Sequence, residues 1–394
     1  MGGRHASSIK NSPEETSVSG DLVFVVNDAD FFLSHRAVLA RAAAADGWRV
    51  HVAVADGGRG RLPETPAWRV HRIPMSRSGL SPIGNMRSLL ALVRLCRKLR
   101  PSVVHAVAVK AVVLGGAAAR LAGVRGRVLA IAGLGHVFTE RGCVGGLARL
   151  ASRILLPWLA GREGLVIVQN ESDQAWARAA RIDNTRLVLI PGSGVDLAVF
   201  AQRPEPPGPL RAVLPARMIW KKGVDEFVEA ARLLRARGVP LEFALAGAPD
   251  PGNPGSVPEA TLQAWNDDGL VAWLGHCEDM PAVIGDSHIV ALPSFYGEGV
   301  PKALLEAAAI GRPVVTTDTP GCGSAVAHEE TGLLVPTRDP KALAAALERL
   351  AQDGDLRRRL GTAGRARAER LFDVSGVVDR HLAIYRKVGA CGSS

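Results

Sequence analysis

Short β-branched runs alternate with helical stretches along almost the whole chain, and few folds accommodate that rhythm. Residues 22–26 (LVFVV) stop at Asn27 and Asp28, the stretch FFLSHRAVLARAAAADGW reads as one helix closing at Gly47, and a strand follows at 49–54. Similar runs occupy 103–107, 127–132, 165–169 and 187–190, then 211–215, 241–246, 271–274, 289–292, 313–317 and 332–335. Each is short for a buried helix, and most lack the polar alternation of a sheet with one wet face, so they suit strands covered on both sides. Strands of that kind with helices between them build parallel sheets, which makes the class α/β.

These runs are too many for one modest sheet, and 394 residues are enough for two domains with separate cores. The segment AQRPEPPGPL, 201–210, carries four prolines in ten residues and reads as a linker. The expected layout is a loose tail at 1–20, a doubly wound domain at 21–200, the linker, and a second doubly wound domain at 211–373, with a cleft between the two. A last helix at 374–388 follows the completed second sheet. Its Leu382, Tyr385 and Val388 share one side and need a surface, which the first domain can supply.

Charge is unevenly divided. The chain holds 48 Lys plus Arg against 38 Asp plus Glu; residues 1–200 carry 26 basic and 14 acidic groups, whereas 201–394 carry 22 and 24. An anionic partner should therefore touch mainly the N-terminal half. Nucleic acid is a poor candidate, because aromatics make up only 5% and no RRM-like, helix-turn-helix or zinc pattern occurs. The five cysteines are scattered and form no CxxC pair, which argues against a metal site or a disulfide framework. No G-x-G-x-x-G follows the first strand, as a dinucleotide oxidoreductase would require. The first twenty residues lack an apolar h-region, which favours a cytosolic tail over a secretory signal. Residues 144–160 are broken by Arg149, Arg153 and Pro157, so they are expected on a surface or in a groove rather than across a bilayer.

The chemistry concentrates in LPSFYGEGVPKALLEAAAIGRPVVTTDTPGC, 292–322. A strand ends at Leu292, a Gly- and Pro-rich loop follows, and Pro301 is expected at the first position of a helix ending before Gly311. Backbone amides of Gly299, Val300 and Lys302, the neighbours of Pro301, then face outward at a helix N-terminus, where the dipole and the Lys302 ammonium favour phosphate. Glu298 lies in the loop, and Glu306 is a lone acid among alanines and leucines, able to meet a ligand hydroxyl. From this pattern alone, Glu298 as a solvated loop acid and Glu306 on an exposed face stand equally open.

Two glutamates eight apart around this loop resemble the E-x7-E motif of glycosyltransferase family 4, whose members are retaining, sugar-nucleotide-dependent enzymes of the GT-B fold. LPARMIWKKGVDEFVEAARLL (214–234) is similar to the family's A-R-L-x-x-x-K-G segment, IPGSGVDLAVF (190–200) to its N-G-V-D segment, and TGLLVPTRDPKALAAAL (331–347) to its closing segment. FVVNDADFFLSHR, ARLAGV, GLGHVF and TTDTPGC resemble the branch that builds surface polysaccharides on polyprenyl diphosphate. The resemblance spans about 21–388. It implies that Arg217 and Lys222 hold the donor diphosphate, that Glu306 accepts hydrogen bonds from ribose, that Glu298 lies beside the donor sugar, and that the amides of 299–302 cap the diphosphate. It places the base near Gly275 and His276.

The N-terminal domain departs from the family pattern. NDADFFLSHR stands where many members have a glycine-rich loop, and Ala132 and Gly133 stand where many have a histidine; His136 either fills that place or is a loop histidine. Lys110, after the 103–107 strand, is the cation best placed at the sheet's C-terminal edge. His35 and His105 read as packing residues.

By resemblance the reaction is a retaining transfer of a sugar, an N-acetylated hexosamine, from a UDP-sugar to a polyprenyl-diphosphate saccharide, with no cofactor and no metal. A UDP-sugar 2-epimerase and a non-catalytic subunit are the alternatives. Between Asn85 and Arg162 stand 13 basic residues and one acid, Glu140, on stretches with helical apolar spacing; they suit an anionic membrane surface or are ordinary solvated helices. Peripheral association with the inner face of the membrane is the corresponding location.

Overall fold

The computed structural model describes residues 20–56, 62–75, 81–131, 133 and 153–390. Thirteen strands among them form two parallel sheets. The first contains β1 (Asp21–Val26), β2 (Arg49–Ala55), β3 (Arg69–Ile73), β4 (Val103–Val107), β5 (Gly126–Ile131), β6 (Leu165–Val168) and β7 (Leu187–Leu189), in the order β3-β2-β1-β4-β5-β6-β7. The second contains β8 (Arg211–Pro215), β9 (Glu242–Ala246), β10 (Ala272–Gly275), β11 (Ile289–Leu292), β12 (Val314–Thr317) and β13 (Gly332–Val335), in the order β10-β9-β8-β11-β12-β13.

The central strands are buried along nearly their full length, as continuous apolar runs demand. The first sheet has a separate apolar layer on each face, and the second has its own core. In each sheet the winding reverses beside the first strand: β1 lies between β2 and β4, and β8 between β9 and β11. Chains leaving the two central neighbours turn opposite ways there, which opens a crevice at their C-terminal ends.

Two local expectations are corrected. The stretch expected as a single helix after β1 is two, Ala29–His35 and Ala37–Ala45, meeting at Arg36, whose φ of −130° leaves the helical region. The kink lets both Phe32 and the Arg36 side chain turn inward; both are buried. Strand β3 has no counterpart among the expected runs. Its sequence RVHRI is an edge strand with several partly exposed positions, so it lacks the continuous apolar signal.

The Pro-rich segment 201–210 is held by charge-assisted bonds rather than left loose. Buried Arg312 donates to the carbonyls of Arg203 (2.9 Å), Pro204 (2.7 Å) and Gly285 (2.7 Å), and Arg357 Nε donates to Glu205 at 2.6 Å. The chain turns back at Phe372–Val374 alongside the connection that follows β7, where Val195 N donates to Phe372 O (2.8 Å) and Val374 N to Val195 O (3.0 Å). The final helix, Val374–Ala390, then lies against the first sheet, burying Val377, Leu382, Ile384, Tyr385 and Val388. Apolar burial of this kind contributes roughly 2 kcal/mol per side chain. Tyr385 also meets His105 Nδ1 on β4 at 2.6 Å, which gives that histidine the packing role expected of it.

Candidate functional site

The second sheet's crevice lies between the loops that leave β8 and β11. After β8 the chain passes Arg217, makes a short turn at Trp220–Lys222, and enters the helix Val224–Ala236 through Gly223. Gly223 has φ +78° and sits against the backbone of Pro293, so a side chain there meets both backbone strain and a wall. The two loops are joined directly: Lys221 O accepts from Phe295 N (3.2 Å) and from Ser294 Oγ (3.1 Å).

This zipper sets the charged groups. Glu298 accepts from Ser294 Oγ at 2.6 Å through Oε1 and is paired through Oε2 with Lys222. Both side chains of that pair are about 85% shielded from solvent, at 15% and 14% exposure. Glu298 is therefore not a solvated loop acid. Glu306, one turn into the helix Lys302–Ile310, is buried too, and Lys302 Nζ lies 3.3 Å from its Oε1. Burial pushes the Glu306 carboxyl up from its ordinary value and the Lys302 charge opposes the shift. Arg217 is paired with Asp250, a carboxylate of 1% side-chain exposure. Tyr296 joins the cluster: burial and Glu298 push its hydroxyl up, and Arg217 opposes them. Three cations thus stand at one sheet edge, each beside a carboxylate.

Several details of the loop differ from expectation. Pro301 precedes the helix as its cap, with φ −65° and ψ 126°, and Lys302 is the first helical residue. A proline followed by extended ψ sets the entry angle without using a helical position. The Val300 amide does not point at a ligand; it donates to Gln169 Oε1 of the first domain at 3.2 Å. Gly299 is crossed by Gly133, whose φ of +87° brings its Cα so close that a Cβ would stand 2.6 Å from the Glu298 carbonyl carbon. The absence of a side chain at Gly133 is therefore what admits the loop. His136 lies outside the described residues.

Gly275 ends the edge strand β10 with φ +66°, and His276 follows it at the same sheet edge. Lys110 opens the helix Val109–Leu121 beside the first sheet's switch point, and partial burial lowers its ammonium pKa. The residue before that helix, Ala108, holds φ +72° and ψ 152°, a region that costs a non-glycine residue roughly 1–3 kcal/mol. His35 has the packing role expected of it. It stacks on Phe31 at 4.6 Å, its Nδ1 lies 2.7 Å from Ser34 Oγ, and burial with the charges of Arg36, Lys302 and Lys222 brings its pKa to about 3.

Sequence reasoning missed Ser294, Tyr296, Asp250 and Gln169. The first two lie inside the motif and were readable only as its filling. Asp250 and Gln169 are distant in sequence and gave no local signal.

Residues 21–170 match the family described as glycosyl transferase 4-like, and residues 210–353 match glycosyl transferases group 1. The chain belongs to glycosyltransferase family 4. This glycosyltransferase is 28% identical over 328 residues to N,N'-diacetylbacillosaminyl-diphospho-undecaprenol alpha-1,3-N-acetylgalactosaminyltransferase of Campylobacter jejuni, covering 79% of this chain and 84% of that protein. It is 27% identical to UDP-Gal:alpha-D-GlcNAc-diphosphoundecaprenol alpha-1,3-galactosyltransferase of Escherichia coli, covering 72% of this chain and 75% of that one. A sucrose-phosphate synthase from Thermosynechococcus elongatus has the same fold, with a TM-score of 0.76 at 20% identity over 94% of this chain and 99% of that one. The glycosyltransferase therefore has the GT-B architecture, and its motif glutamates and cations occupy the switch point of the C-terminal sheet.

Proposed function

We propose that this glycosyltransferase moves an N-acetylated hexosamine from a UDP-sugar to a polyprenyl-diphosphate-linked saccharide, with retention and without a divalent metal. The observation that carries the reading is the convergence of Arg217, Lys222, Lys302, Glu298 and Glu306 at one switch point. A departing diphosphate gains negative charge as its bond to C1 breaks, and preorganised cations stabilise that charge most where water is scarce. Lys222, at 15% side-chain exposure, meets this condition.

Both oxygens of Glu298 are engaged, one by Ser294 and one by Lys222. A carboxylate held this way is poorly suited to attack C1, which favours transfer without a protein nucleophile. The acceptor hydroxyl then attacks C1 from the face that the leaving phosphate vacates. The C1–O bond breaks with its electron pair going to the diphosphate, and a diphosphate oxygen takes the hydroxyl proton. The chain's contribution is charge and positioning. Glu306, buried and raised in pKa, suits hydrogen bonding to ribose hydroxyls.

The membrane part of the reading draws on the helix Pro82–Leu99. Its solvent side carries Ile83, Met86 and Leu90 at 69%, 54% and 46% exposure, followed by exposed Arg94 and Arg97. Helices of a parallel sheet run opposite to the strands, so the apolar turns sit at the crevice side. Ile154 and Trp158 add exposed apolar surface, with Arg120 5.0 Å from the Trp158 ring. Among the described residues no helix is long and apolar enough to cross a membrane. Apolar residues beside arginines suit an anionic interface, each basic group near it contributing about 1 kcal/mol.

The test is UDP release from a panel of UDP-sugars with a short polyprenyl-diphosphate saccharide. Glu306→Ala and Arg217→Ala should abolish release, and retained activity would overturn the site assignment. Excess chelator should leave the wild-type rate unchanged. The protein should co-sediment with anionic liposomes at low salt; absence of binding, with transfer unaffected by charge reversal of Arg94, Arg97 and Lys98, would refute the membrane reading.

A further inference from the structure

We infer that Asp250 is a positioning residue: it aims the Arg217 guanidinium at the donor diphosphate from a loop built for that purpose. The inference rests on the reading of Arg217 as a diphosphate ligand.

The side chains differ in freedom. Arg217 is 52% exposed, whereas Asp250 is 1% exposed and paired with its Nη1. A half-exposed arginine samples many rotamers, and each must be given up when it binds phosphate. Anchoring one end of the guanidinium removes that cost beforehand and leaves the remaining N–H groups of the planar fork for an anion. The Arg217 charge also opposes the rise in the Tyr296 hydroxyl pKa, so the anchored group acts on the motif loop as well as on Asp250.

The loop carrying Asp250 is fastened at several points to the strand-end segment that carries Arg217. Asp250 N donates to Ser256 Oγ (2.9 Å), Asn253 Nδ2 to Asp250 Oδ2 (3.3 Å) and Gly255 N to Asn253 Oδ1 (3.0 Å). Across to the other segment, Met218 N donates to Ala248 O (3.0 Å), Trp220 N to Gly255 O (2.9 Å) and Val257 N to Met218 O (2.9 Å). Arg217 is thus bracketed by backbone bonds on the side of the partner that holds its tip. A buried carboxylate would otherwise be costly, and the hydrogen bonds with Arg217 and Asn253 offset its desolvation. The segment reads APDPGNPGSVP, and its Asp250, Asn253 and Ser256 supply the side-chain bonds that close the turn.

The experiment is a double-mutant cycle on UDP affinity, measured by calorimetry on the full chain with Arg217→Ala, Asp250→Asn and the double variant. Thermal melts run alongside. Arg217→Ala should weaken UDP binding about tenfold or more, and Asp250→Asn about fivefold. In the Arg217→Ala background Asp250→Asn should add less than about twofold, since residues acting through one another are non-additive. Should Asp250→Asn fail to fold, Asn253→Ala removes one anchor of the carboxylate and should show the same dependence on Arg217 with a smaller loss. Equal losses from the second change in both backgrounds, or none in either, would overturn the positioning role while leaving Arg217 as a ligand. An unchanged affinity in Arg217→Ala would overturn both.

Discussion

Gly321→Ala tests the site through packing rather than charge. Gly321 lies in the helix Pro320–Ala325 beneath the motif loop, and its φ is not positive, so alanine is tolerated by the backbone itself. A Cβ there would lie 2.5 Å from the Glu298 carbonyl oxygen and 2.7 Å from the Gly299 carbonyl carbon, with the Gly299 oxygen closer still. Side-chain carbons essentially never come within 3.0 Å of such atoms, so the loop must move by at least 0.5 Å at Glu298 and further at Gly299. Displacement of a reacting constellation by about 1 Å costs up to about 100-fold in rate, and overpacking a single methyl costs about 1–3 kcal/mol in stability. The expected result is a fall of about 10- to 100-fold in UDP release with a folded protein. Gly376→Ala is the control, since nothing lies within 4 Å of a Cβ there. Turnover in Gly321→Ala within about threefold of wild type, at an unchanged melting temperature, would refute the geometry.

Acid should destabilise the glycosyltransferase through the contact of its last helix. His381 is buried with a pKa of about 3, chiefly by desolvation and then by the Arg36 charge, and His105 beside it is lowered well below its ordinary value for similar reasons. Both are neutral when folded, so the unfolded chain binds more protons below its own histidine pKa. The stability is whole above about pH 6.5 and falls as pH drops toward 3; His381 alone accounts for roughly 1.4 kcal/mol by pH 5.5. Denaturant midpoints at pH 7.5 and 5.5 test this, and equal midpoints would contradict it. Arg312→Ala should lower stability by about 3 kcal/mol or more, because three carbonyls lose a charged donor at once; a melting temperature within about 2 °C of wild type would show that the Pro-rich segment is held by other contacts.

The sheets were readable because burial on both faces writes itself into a strand as an unbroken apolar run. Val103–Val107 and Ile289–Leu292 are of this kind and appear with the boundaries expected of them. Edge strand β3 was not readable, since one side faces solvent and its residues are mixed. The helix break at Arg36 was hidden for a different reason: ADFFLSHRAVLA contains no Gly or Pro to mark it, and the break coincides with the burial of Arg36, which is a tertiary feature.

The site divides along the same line. Glu298, Lys302 and Glu306 lie within nine residues, so one loop and one helical turn fix their neighbourhood, and their type and spacing could be read directly. Lys222 meets Glu298 across 76 positions only because β8 and β11 are adjacent in the second sheet. Asp250 reaches Arg217 across 33, Gln169 reaches Val300 across 131, and Gly133 touches the motif loop from another domain. Local spacing carries periodicity and turn chemistry, and with them the strands, the helix N-terminus and the motif. It carries no record of which strand ends lie side by side. That is decided by burying two sheets and docking the last helix, and it is what turns separate cations and carboxylates into one anion-binding crevice.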